Sequence, residues 1–243
     1  YEQWRINSVK NSSAEHGNAP LAPGEVVRVG DLGSGSDFTP FLQHAGVPST
    51  DIGSSGPYGV YHSTFDDYAW FTMNADPHFL YLQEMARVYG LEALRMADAD
   101  VLPLDYESYA REIRAYIEAA RDKARKAGLD SLDFAPALAA DSQFAAAAAR
   151  AHALQSHPQG DLGVLNQSLR RVESDLLSPA GLPGRPWYRH TIYAPGRVTG
   201  YAAVVIPGVN EAIDAGDATV VAQQLKVLAE SLDRAAQTLE AVH

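Results

Sequence analysis

The chain has 243 residues, of which 46% are hydrophobic, 20% charged and 9% aromatic, so it is a folded globular chain of one large or two small domains and not a disordered one. Its formal net charge of −11 excludes a general phosphate-backbone binder, and no nucleic-acid partner is expected. No stretch approaches the ~18 unbroken apolar residues of a membrane span. The absence of cysteine excludes a disulfide framework and cysteine-based metal or nucleophile sites.

In chain order, the first residue is Tyr1 and no signal-peptide pattern follows it, as expected of a mature product or a piece of something longer. Glu25 to Val29 is a β-branched run between Pro23-Gly24 and Gly30, and reads as a strand. Asp31 to Ser36 reads as a tight turn, and Asp37 to Leu42 as a short helix that Gly46 ends. A strand, a glycine turn and a helix start together resemble the ligand-bearing end of a strand in an open α/β sheet. Ile52 to Tyr61 reads as a loop. Thr64 can cap a helix from Phe65 to Asn74, and Asp76-Pro77 starts another that the apolar run Phe79 to Met96 continues. Gly90 inside that run predicts a closely packed helix neighbour.

Val101-Leu102-Pro103 marks the domain boundary, after which alanine-rich helices take over. Asp105 caps one with Tyr109, Ile113, Tyr116, Ile117 and Ala120 on a face, stopped by Gly128. A second runs from about Asp133 to Gln155, until His157-Pro158 breaks it. A third carries Leu162, Leu165, Leu169, Val172 and Leu176. The last, from about Asp217, places Val221, Leu225, Leu228, Leu232, Ala235, Leu239 and Val242 in a heptad stripe. Such a stripe needs a partner, either within a four-helix bundle or at a subunit interface, and periodicity does not separate the two. Residues 179–207 form a long excursion between the third and last helices, of the kind that often carries function.

Taken residue by residue, the candidate chemistry is sparse. His62 follows a flexible loop and reads either as a hydrogen-bonded structural histidine or as a ligand. No HxxxH or HxxEH pair accompanies it, and a catalytic zinc needs about three protein ligands. Ser34-Gly35-Ser36-Asp37 reads either as a plain tight turn or as a set of backbone N–H groups offered to an anionic or tetrahedral ligand. There is no GxSxG elbow and no P-loop lysine.

Several ordered segments together resemble the C-terminal half of the glutamate carboxypeptidase and transferrin receptor-like family. They are Tyr1-Glu2-Gln3-Trp4, the run Leu32 to Phe38, Tyr61-His62-Ser63, Val101-Leu102-Pro103, and above all the long stretch from Gly181 to Pro195. The resemblance implies the C-terminal part of an α/β zinc-peptidase domain over residues 1–100. It implies a helical-bundle dimerisation domain over residues 101–243, with loop 179–207 returning to the active site, and it tips the bundle question towards a homodimer interface. His62 then matches a zinc ligand of a two-zinc site, with a hydrogen bond from its other nitrogen fixing the ring. Tyr61 matches a tyrosine that donates to the tetrahedral intermediate. Ser34, Gly35 and Ser36 match a substrate-lining turn, Tyr58 the pocket mouth, and Tyr201 the pocket for the substrate's C-terminal residue.

The departures from the family pattern also carry expectations. Glutamate-selective relatives place a lysine where this chain has Gly200, and arginines near Thr50 to Gly53, where it has none. A general peptidase with no preference for acidic substrates is therefore expected. The remaining zinc ligands and the general base lie upstream of the matching segment in the family. This chain alone is expected to be inactive and to need the upstream half of the peptidase domain to hold zinc and hydrolyse a peptide. The competing reading is a non-catalytic, transferrin receptor-like binding or dimerisation protein. Relatives are often secreted or held outside the cell, which favours an extracytoplasmic location.

Overall fold

The computed structural model describes residues 30–54, 56–158, 160–198 and 200–241. The expected strand at residues 25–29, the Tyr1-Glu2-Gln3-Trp4 segment and Val242 lie outside them. The chain divides into two compact units, each taken by itself below. One holds Ile52–Ala99; the other joins Gly30–Asp51 to the chain from Asp100 onward.

In the first unit, α2 begins as Tyr68–Trp70 and continues as a wider π-helical turn over Phe71–Ala75. Its cap is Asp67, whose carboxylate accepts from the Trp70 N–H at 2.8 Å, rather than Thr64. Helix α3 spans Leu80–Ala97. Asp76 is buried at its start and accepts from the N–H groups of Leu80 (2.8 Å) and Leu82 (3.0 Å). The apolar run does form a helix, but Leu80, Tyr81, Leu82, Tyr89, Leu91 and Leu94 are all exposed and only Met85 is buried. Among the described residues Gly90 has no close neighbour, against expectation: a Cβ added there meets none of them within 4 Å. No strand occurs among the described residues of this unit, so the α/β part of the expected fold has no counterpart in them.

The second unit opens with α1, a π-helical turn over Pro40–Ala45 that Gly46 ends in a left-handed conformation (φ +67°). Helices α4 (Tyr106–Lys126), α5 (Ala135–Ser156), α6 (Leu162–Asp175) and α8 (Ala218–Glu240) form the bundle. Their starts are chemically marked. Asp105 accepts from Ser108 N–H, Asp161 from Gly163 N–H and Asp217 from Val220 N–H, each filling an orphan donor of a first turn. At the end of α4, Gly128 adopts φ +76° while Leu129 N–H donates back to the Ala124 carbonyl, which is why the helix stops there.

The α8 stripe of Val221, Leu225, Leu228, Leu232, Ala235 and Leu239 is buried within the chain. It packs most extensively on α5 and also on α6. The alanines of α5 explain this. Ala137, Ala140, Ala147, Ala148 and Ala151 are buried together with Phe144, and their small side chains let the two helices approach closely. The stripe is therefore used inside the chain, and contact between copies has to use another surface. On α4 the buried face runs Tyr106, Ala110, Ile113, Ile117, Ala120 and Ala124. It is turned from the expected one, leaving Tyr109 and Tyr116 half-buried at its margin.

Residues 179–207 do not form a free excursion. Leu182, His190, Thr191 and Ile192 are buried. The segment ends in an antiparallel hairpin of β1 (Tyr193–Pro195) and β2 (Ala203–Val205), with Ala194 opposite Val204. A short helix that the sequence reading lacks, α7 (Pro207–Asp214), follows with proline in its first turn.

One bundle side chain has a pH signature. Asp141 on α5 is 1% exposed, its Oδ2 lies 3.6 Å from Arg114, and its Oδ1 has no partner among the described residues. Burial raises its pKa to about 6 from 3.8, and Arg114 offsets only part of that. The folded state thus holds this proton more tightly than the unfolded chain, so the stability cost is absent below about pH 4 and complete above about pH 6. Asp141→Asn is expected to stabilise the fold above pH 6 by on the order of 1–3 kcal/mol. The gain should vanish at pH 4, as measured by denaturant unfolding of both proteins across that range.

Candidate functional site

The expected site residues fall in both units. In the first, Tyr61 and His62 are stacked, with ring centroids 3.8 Å apart, and both are exposed. His62 has φ +62°, a left-handed conformation that costs a non-glycine residue strain. Ser63 steadies the turn: its N–H and its hydroxyl both donate to the Val60 carbonyl. Neither ring nitrogen of His62 has a hydrogen-bond partner among the described residues, and the Tyr61 ring stacks on it. Tyr58 donates to the Asn74 carbonyl at 3.2 Å and meets Trp70 edge to face. Among the described residues no three histidine or carboxylate side chains converge on a point where a metal ion could sit. His62 by itself does not make a zinc site, which needs about three protein ligands.

In the second unit the structure brings together residues more than 160 positions apart. Ser34 N–H donates to the Tyr201 carbonyl at 2.9 Å. Gly33 lies directly under that carbonyl: a Cβ there would collide with Tyr201 O and come within 2.8 Å of Ala203 N. Gly35 has φ +97°, and a Cβ would meet the Tyr201 ring at 2.6 Å. Both glycines are required by contact with one residue, a constraint that local sequence does not display. Ser36 closes the turn by accepting from Thr39 N–H at 3.2 Å.

Behind the turn stands a side chain the sequence reading missed. Gln43 on α1 is fully buried. Its side-chain amide N–H₂ donates to the carbonyls of Gly33 and Leu32, and its main-chain carbonyl accepts from Arg189 N–H (2.8 Å) and His190 N–H (3.1 Å). His190 is equally buried. Its Nδ1 accepts from Ile192 and Tyr193 N–H, so Nε2 carries the proton and donates to Glu173 at 2.8 Å. Asp31 is held from the other side by the Tyr116 hydroxyl. Burial first, and neighbouring carboxylates with it, raise the pKa values of Tyr109, Tyr116 and Tyr193, the last to about 12 although its hydrogen bond with Tyr116 lowers it somewhat, so these phenols remain neutral donors.

Turn and hairpin enclose an open groove of about 440 Å³. Ser34 forms one side, Arg185 and Tyr188 line it from the preceding segment, and Pro195, Gly196, Arg197, Gly200 and Tyr201 belong to the hairpin connection. Arg185 donates to the Pro195 carbonyl and is paired with Glu211 on α7 at 2.7 Å. Among the described residues no carboxylate lines the groove. Its hydroxyl, phenol and guanidinium groups make it rich in donors, and it suits a ligand that presents acceptor oxygens.

Comparison with known proteins gives this geometry a context. The transferrin receptor-like dimerisation domain model matches residues 116–240. The chain is 37% identical to the probable glutamate carboxypeptidase LAMP1 of Arabidopsis thaliana over 75% of its own length and 27% of that protein. It is 33% identical to a probable glutamate carboxypeptidase of Arthroderma benhamiae over 88% of itself and 31% of that protein. With the aminopeptidase NAALADL1 of Rattus norvegicus it shares 29% identity over its whole length and 34% of the relative. The chain thus spans about a third of the length of the curated relatives it matches.

The glycine contacts yield a direct test. Gly33→Ala is expected to lower stability by roughly 1–3 kcal/mol, because backbone has to move to admit the methyl group. Gly30→Ala, where a Cβ meets none of the described residues within 4 Å, should lie within about 0.5 kcal/mol of the parent. Thermal and denaturant unfolding of the two variants side by side measures the difference.

Proposed function

Because the chain belongs to the transferrin receptor-like glutamate carboxypeptidase family, whose C-terminal region it matches, we propose that it is the C-terminal part of a zinc-dependent exopeptidase. In this reading residues 1–100 complete a peptidase domain and residues 101–243 form a dimerisation domain. The observation that carries it is the joining of the Ser34-Gly35 turn to Tyr201 around a donor-rich groove, which suits the C-terminal residue of a peptide. Ser34 and Tyr201 would orient that residue. Tyr61, an exposed phenol stacked on His62, would donate a hydrogen bond to the oxyanion as the scissile carbonyl becomes tetrahedral.

His62 would serve as one metal ligand, and its strained backbone and two ring nitrogens without a partner among the described residues support that role. The other ligands and the general base would come from the upstream half of the peptidase domain, and the chain alone would be inactive. The exposed apolar side chains of α3 support such a partner, since a patch of this kind marks an interaction surface. A homodimer would form through a bundle surface other than the α8 stripe. An extracytoplasmic or secreted location would match the family.

The test uses the full-length parent. It is expected to contain zinc and to release C-terminal or N-terminal residues from short peptides. Tyr61→Phe should reduce kcat by roughly 10²- to 10³-fold with little change in bound zinc. His62→Ala should lower both zinc content and activity. A parent without zinc or peptide hydrolysis, unchanged by either substitution, would favour a non-catalytic binding protein.

A further inference from the structure

We propose that Arg197 is a specificity-determining residue that holds a carboxylate of the ligand in the Tyr201 groove. The proposal rests on the peptidase reading for the identity of that ligand, a peptide. It reverses the expectation, drawn from Gly200 and from residues 50–53, that the chain lacks a cation for acidic substrates.

Among the described residues the groove has two guanidinium groups, and they differ in what they have left to offer. Arg185 is committed to Glu211 and to the Pro195 carbonyl, and its side chain is only 14% exposed. Arg197 is exposed and has neither a carboxylate nor a hydrogen-bond partner among the described residues. It is nevertheless placed. Its guanidinium lies over Gly184, where a Cβ would come within 2.6 Å of Nη2. Gly184 has φ +73°, so the missing side chain and the left-handed backbone together make the space that the guanidinium fills.

Charge adds a second argument. The chain has a formal net charge of −11, yet among the described residues no acidic side chain lines this groove and none pairs with Arg197. A cation at the rim of a recess in an acidic protein concentrates anionic ligands there. The neighbouring groups are donors as well: the Ser34 hydroxyl and the phenols of Tyr188 and Tyr201. A planar guanidinium among neutral hydroxyls fits a carboxylate, which accepts two parallel N–H bonds and has oxygen lone pairs left for the hydroxyls.

Two carboxylates of a peptide could take this place, the acidic side chain of the last residue or its main-chain terminus, and the experiment separates them. The full-length parent is assayed on N-acylated peptides ending in Glu, in Gln, and in Glu with an amidated terminus. If Arg197 holds the side chain, Glu is preferred over Gln by about 10- to 100-fold in kcat/KM. Arg197→Gln then collapses that ratio, and Arg197→Lys restores part of it. If Arg197 holds the terminus, Arg197→Gln weakens both free-acid peptides alike and removes their advantage over the amide.

The proposal is overturned if Arg197→Gln leaves all three ratios as they are, or lowers hydrolysis of all three peptides equally. Should the parent hydrolyse none of them, the peptidase reading fails on its own. Calorimetric titration of the same protein with N-acetylglutamate still decides on Arg197: binding that Arg197→Gln weakens about tenfold or more supports its role, and binding unaffected by the substitution, or absent, overturns it.

Discussion

The candidate groove depends on a buried chain of hydrogen bonds through Glu173, His190 and Gln43. After α6 the backbone runs through the interior, and every N–H and carbonyl buried there needs a partner. Ser178 N–H finds Arg189 O at 2.7 Å, Leu182 N–H finds Tyr188 O at 2.8 Å, and the Leu176 carbonyl takes both the N–H and the hydroxyl of Thr191. At the tightest point there are too few main-chain partners, and side chains substitute for them. His190 Nδ1 accepts two successive N–H groups while its other nitrogen is fixed by Glu173. A fully buried imidazole with both nitrogens used cannot turn, so the path into β1 is set.

Gln43 carries this order from the bundle to the turn. Its main-chain carbonyl is bound to the Arg189–His190 segment, and its side chain holds the carbonyls of Leu32 and Gly33. The Ser34-Gly35-Ser36 turn is thereby fastened to the same segment that leads into the hairpin carrying Tyr201. A groove made wholly of surface loops would be soft. Here both of its walls lead back to side chains buried against helices, which is how a binding geometry is held within a fraction of an ångström. The hydroxyls of Thr191 and Ser231, 3.0 Å apart, extend the same network onto α8.

The helices were legible in the sequence because their signals are local. Asp105, Asp161 and Asp217 cap the starts, Gly128 ends α4, and the heptad spacing of α8 matches its buried face. The sites were less legible because their causes are distant. Gly33 and Gly35 look like ordinary turn glycines until Tyr201 is seen against them. Gln43, on a short π-helical turn, is polar, and nothing local marks it as buried. Nothing local marks Arg197, since its setting comes from Gly184, thirteen positions earlier in a left-handed turn. Helix α7 was missed because its eight residues are too few to display a period.

A single position of a family pattern does not decide what a groove can bind. Replacing a lysine by Gly200 removes a cation from one place in a sequence, but what a ligand meets is the field of the whole groove. The connection between β1 and β2 is short, so a charge placed a few residues earlier on it still faces the same recess. What decides whether that charge is available is the rest of its hydrogen bonding. Arg185, closer to the core, is neutralised by Glu211 and acts as a brace between β1 and α7. Arg197, with no such commitment among the described residues, keeps its charge for a ligand. Two arginines twelve positions apart in one groove thus take opposite parts, one as structure and one as recognition, and the acidic residue on α7 sets the division.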